Sequence, residues 1–77
     1  MTMRGVVKRS VMIAGHRTSI SLEDPFWQAL TCLAEGEGRS VQALVGAIDA
    51  GRAGQNLSSA IRVHVLDAAL NGKLGKS

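Results

Sequence analysis

Residues 17–22 alternate without a break: Thr18, Ile20 and Leu22 fall on one side, Arg17, Ser19 and Ser21 on the other. A period of two belongs to a half-buried β-strand, whose successive side chains point to opposite faces. One face suits a core. The other offers a cation and two small hydroxyls, a low polar surface able to lie against something flat and anionic. Residues 7–13 repeat the pattern less cleanly, because Arg9 shares the register of Val7, Val11 and Ile13. Ala14, Gly15 and His16 then read as a three-residue hairpin loop, with Gly15 free to adopt a positive φ.

The period changes after Glu23. Asp24 followed by Pro25 is a helix start, with Asp24, or else Glu23, as the cap. Phe26, Trp27, Leu30, Leu33 and Ala34 form a helical stripe that Gly36 and Gly38 end. Ser40 caps a second helix carrying Val41, Leu44, Val45 and Ile48, which stops near Asp49. After a loop at Gly51, Gly54 and Gln55, Asn56 caps a third helix over 57–70. That helix is apolar around most of its circumference, from Leu57 through Ile61, Val65 and Leu66 to Leu70. It must be covered on more than one side. The pattern therefore gives a basic tail at 1–6, one domain at 7–70 and a polar tail at 71–77, mostly α with a short N-terminal β-hairpin.

Seventy-seven residues are few for a self-sufficient core, since a chain this short buries only about 60% of its unfolded surface. Cys32 is the single cysteine, so an internal disulfide is ruled out. His16 and His64 are far apart and no Cys/His cluster exists, so no metal and no cofactor is expected. A second copy is the remaining source of core, and the expectation is an intertwined homodimer.

The net charge of +3 is unevenly spread. Arg4, Lys8, Arg9 and Arg17 make residues 1–22 purely basic, whereas residues 23–50 set five acids against Arg39. A basic end beside an acidic middle favours a polyanionic partner. No apolar run approaches the ~18 residues of a membrane span, and the lone thiol fits the reducing cytoplasm. No Ser/His/acid set, glycine-rich phosphate loop or apolar carboxylate pair is present, so an enzyme is not expected. Phe26 and Trp27 are the only aromatics, too few for single-strand binding by base stacking.

The order of strand, helix, Gly38-Arg39-Ser40 turn and helix resembles the ribbon-helix-helix family of small bacterial DNA-binding proteins. Lys8-Arg9-Ser10-Val11, Ile13 through Glu23, Phe26-Trp27, Asn56 through Ala60, and Arg62 resemble more narrowly a subgroup of short proteins of that family. The resemblance covers roughly residues 7–70. It implies a homodimeric transcriptional regulator in which each chain lends one strand to a ribbon that enters the DNA major groove. Carried over by strand parity, Arg17, Ser19 and Ser21 would contact bases. Phosphates would be held at a helix N-terminus by Ser40 and Val41, with Arg39 beside them, and Lys8 and Arg9 would contact the backbone. Ile20, Leu22, Trp27, Ile61 and Val65 would fill the dimer core.

Two departures from the family pattern leave alternatives open. A third helix follows the second, so either 40–49 or 57–70 could take the interlocking place; in the latter case Asn56, Leu57 and Ser58 would anchor phosphate. A strand at 7–13 would also turn a dimer of hairpins into a four-stranded sheet, too broad for the groove. The alternative function is a dimeric protein-interaction module, antitoxin-like or scaffolding, without sequence-specific DNA binding.

Overall fold

The alternation at 17–22 becomes β2 (His16–Glu23), which pairs antiparallel with β1 (Val6–Ile13) of the same chain. Three helices follow: α1 (Asp24–Gly36), α2 (Val41–Ala50) and α3 (Leu57–Leu70). The computed structural model describes residues 5–74. Most of the expected N-terminal tail and the last three residues lie outside that range, while Val6, assigned to the tail, opens β1.

Ile13 pairs with His16, so the hairpin loop has two residues, Ala14 and Gly15, rather than three. Both hold positive φ, 50° and 83°, as a type I′ turn requires, because that turn matches the right-handed twist of the strands it joins. Alanine is an awkward occupant: crowding of Cβ in the left-handed region costs roughly 1–2 kcal/mol. Asparagine tolerates it better. Ala14→Asn is therefore expected to raise the calorimetric melting midpoint by several degrees, and a lowered midpoint would contradict this turn geometry.

The sheet lies on a layer of three helices. Its inner face brings Val11, Ile20 and Leu22 against Leu30 and Leu33 of α1, Leu44 and Val45 of α2, and Ile61 and Val65 of α3. Glu23, not Asp24, holds the cap position of α1, and no side chain bonds there. Asp24 is instead the first helical residue, with its carboxylate directed to Arg9. Gly38, at φ 72°, ends α1: its N–H bonds to Glu35 C=O and that of Arg39 to Ala34 C=O. The chain then turns directly into α2. Ser40 accepts from Ala43 N–H at 3.0 Å and Asn56 accepts from Ser59 N–H at 3.1 Å, so both expected caps are in place.

Two expectations change. The ribbon expected to draw one strand from each of two chains is here a hairpin of one chain, because its two-residue loop closes β2 onto β1. Ile20, Leu22, Ile61 and Val65, assigned to a dimer core, are at most 5% exposed within a single chain. Trp27 is partly buried against the same cluster. What α3 leaves uncovered is a different stripe, Val63, Leu66 and Leu70.

Candidate nucleic-acid interface

Strand parity and register together build the solvent face of the hairpin. Met12 stands opposite Arg17, Ser10 opposite Ser19 and Lys8 opposite Ser21. Arg17, Ser19 and Ser21 thus share one face, as their alternation indicated, and the register adds Lys8, Ser10 and Met12 beside them. The N–H of Met12 and both backbone groups of Ser21 bond to helix side chains beyond the sheet edges. These cross-strand pairs are therefore of the non-hydrogen-bonded kind, in which facing side chains approach most closely. The face is a low ledge of hydroxyls with a cation at each end.

A helix N-terminus flanks each edge. From the first turn of α2, Gln42 Oε1 accepts from Met12 N–H at 2.7 Å, on the β1 side near the turn. From the first turn of α3, Ser58 Oγ accepts from Ser21 N–H at 3.0 Å, on the β2 side. Ser40 and Val41 thus lie near the Met12–Arg17 end, and Asn56 to Ser58 near the Lys8–Ser21 end. The sequence left open which helix would approach the ribbon; the structure brings one to each side. Helix N-termini favour anions through their unpaired N–H groups and dipole.

Most cations of the helical layer are engaged. Arg39 pairs with Glu37 at 2.7 Å and Arg52 with Asp49 at 2.6 Å. Arg9 faces the helices, not solvent: it pairs with Asp24 at 2.8 Å and lies 4.6 Å from the Trp27 ring centroid, its Nε buried without a partner. Its placement in the apolar register is thereby explained. Among the described residues, Lys8, Arg17 and Lys73 are the cations without a carboxylate partner. Two of the three stand on the sheet's solvent face.

Arg62 locks α3 to the far end of β2, donating to Glu23 Oε1 at 3.0 Å and to Ser21 C=O at 3.2 Å. Hydrogen bonding from its own backbone N–H, and then from Arg62, holds the Glu23 carboxyl below its ordinary value near 4.5. A lowered folded-state pKa gives stability that is present in full above the ordinary value and is lost as pH falls through the folded one. The melting-temperature gap between wild type and Glu23→Gln is accordingly expected to be widest near neutrality and to close on acidification below 4.5. A gap independent of pH would show that the carboxylate's charge is immaterial.

The remaining candidates stay apart from this face. His64 lies on α3 along the groove between α2 and α3, and Cys32 is exposed on α1. His16 is an exposed strand residue next to the turn. Among the described residues no group of three or more His, Cys, Asp or Glu side chains could hold a metal ion, and no helix is long and apolar enough to cross a membrane.

The profile of the ribbon-helix-helix domain family matches residues 6–69, from the first residue of β1 almost to the end of α3. The chain belongs to that family. Ribbon-helix-helix domains are a non-enzymatic, DNA-binding type whose members generally dimerise. No curated protein and no solved structure matches the chain. Of the residues that shape or support the face, the sequence assigns no role to Ser10, Met12 and Gln42; Arg62 enters only through the family resemblance, and Ser58 only as an alternative phosphate anchor. The alternation of Lys8, Ser10 and Met12 carried the signal for the first two, and Arg9 in the opposite register masked it.

Proposed function

We propose that this ribbon-helix-helix protein is a transcriptional regulator of the bacterial cytoplasm that binds duplex DNA through the solvent face of its hairpin. The carrying observation is the pairing of unneutralised Lys8 and Arg17 with a ledge of small hydroxyls, between two helix N-termini. Arg17 is the base reader with the greatest discriminating capacity, since its guanidinium can donate two bonds to guanine. Ser19 and Ser21 donate or accept and allow close approach. Lys8 contacts phosphate, as do Ser40 and Val41 through their backbone N–H groups, with Arg39 contributing once it leaves Glu37. Arg9, committed to Asp24 and Trp27, supports the sheet instead.

The protein acts by binding rather than catalysis, and as a homodimer. The seam for a second copy is the stripe Val63, Leu66 and Leu70, exposed by 57% or more, whose apolar character is self-complementary about a two-fold axis. The same stripe favours the second reading, a dimeric protein-interaction module. Salt separates the two. Neutralisation of one phosphate by Lys8 alone gives a slope of log K against log salt of about −1 per protomer, and Arg39 on phosphate steepens it. Selection of bound duplexes from a random pool, repeated across salt concentrations, is expected to return a preferred sequence and that dependence. Absence of duplex binding at low salt would transfer the proposal to the interaction module.

A further inference from the structure

From the register of the hairpin we infer that one protomer is a complete groove reader, whose β1 residues Ser10 and Met12 read bases beside Arg17, Ser19 and Ser21 of β2. This rests on the DNA-binding reading above and departs from a ribbon assembled from two chains. The major groove, about 12 Å wide, admits two strands. Four strands span about 14 Å of backbone before any side chain is added. A hairpin of one chain meets that limit without a partner.

The sheet edges support the same conclusion. Pairing along 17–22 with another copy needs the outward backbone groups of Ser21, and both are already bonded, one to Ser58 and one to Arg62. Gln42 occupies the corresponding N–H of Met12 on the other edge. These bonds obstruct strand addition at Ser21 and at Met12. The solvent face then carries distinct chemistry on its two strands. Met12, 46% exposed beside Arg17, offers an apolar tip suited to a thymine C5-methyl group, while Ser10 opposite Ser19 doubles the hydroxyl ledge. The reader is asymmetric, so each protomer would specify a non-palindromic half-site.

Two measurements test this with the full chain. In a Cys32→Ser background, Ser10→Cys and Ser19→Cys place thiols at a directly facing pair. Oxidation is expected to give an intrachain disulfide, seen as a covalent monomer by denaturing mass spectrometry. Interchain-linked dimers formed in its place would overturn the one-chain ribbon. Separately, the unmodified protein is titrated with the selected duplex, whole and cut to one half-site, with each thymine replaced in turn by deoxyuridine. We expect one chain per half-site duplex. One replacement should weaken wild-type binding on the order of fivefold, and should have no effect on Met12→Ala. A half-site duplex that takes up two chains, or a methyl effect unchanged in Met12→Ala, would overturn the inference while leaving the DNA reading intact. Failure of every duplex to bind would remove both.

Discussion

Replacing Arg17 with alanine is expected to weaken binding to the selected duplex by about 1–3 kcal/mol, roughly fivefold to 150-fold, and to random duplex far less. The asymmetry follows from its position. Arg17 has no carboxylate partner among the described residues, stands opposite Met12 on the open face, and lies near the first turn of α2. A guanidinium so placed gains a directional contact only on the right base. Parallel titrations of wild type and Arg17→Ala on both duplexes decide the matter. Equal losses would reduce Arg17 to a phosphate contact and move base reading elsewhere on the hairpin.

The largest effect on stability is expected at Ile20. Its side chain is 1% exposed, on the inner face of β2 within the cluster shared with the three helices. Ile20→Ala removes buried methyl groups and leaves a cavity, at a cost of about 2–5 kcal/mol. In a domain of this size that is a fall of about 10 °C or more in melting temperature. Ser19→Ala, one residue away on the solvent face, should stay within about 0.5 kcal/mol of wild type. The Ile20 loss should also be the same at all protein concentrations, because the residue is packed by its own chain. A loss that deepens on dilution would return Ile20 to a shared core. Circular-dichroism melts at two concentrations distinguish the outcomes.

Much of this architecture was legible in the sequence because period and punctuation agreed. The alternation at 17–22, the stripe from Phe26 to Ala34, and the Ser40 and Asn56 caps each place an element that the structure contains. What the sequence obscured came from residues with two plausible roles. Arg9 sits in the apolar register of β1, and only the fold shows its guanidinium over Trp27 with Asp24 beyond. Asp24 resembles a cap, yet its carboxylate is better used by that arginine. Ala14 carries a positive φ that alanine seldom adopts, which made the loop look one residue longer. The length of the chain pointed to a shared core, whereas a hairpin folded over three helices encloses Ile20, Leu22, Ile61 and Val65 within one copy.

The candidate site divides in the same way. Parity alone placed Arg17, Ser19 and Ser21 together, since a strand has only two faces. Contributions from other elements required the tertiary arrangement: Gln42 reaches the edge of β1 from 30 residues away, and Ser58 reaches β2 from 37. No local pattern encodes those distances. They determine, nonetheless, that the open face is a two-stranded ledge with a helix N-terminus on either side.

Amide-resolved NMR of the labelled protein, titrated with the selected duplex, tests most directly whether this ledge is what meets DNA. The largest shifts should fall on Lys8, Ser10, Met12, Arg17, Ser19 and Ser21, with Val41 and Gln42 next. Large shifts confined to Val63, Leu66 and Leu70 of α3, with the hairpin amides unmoved, would contradict the account.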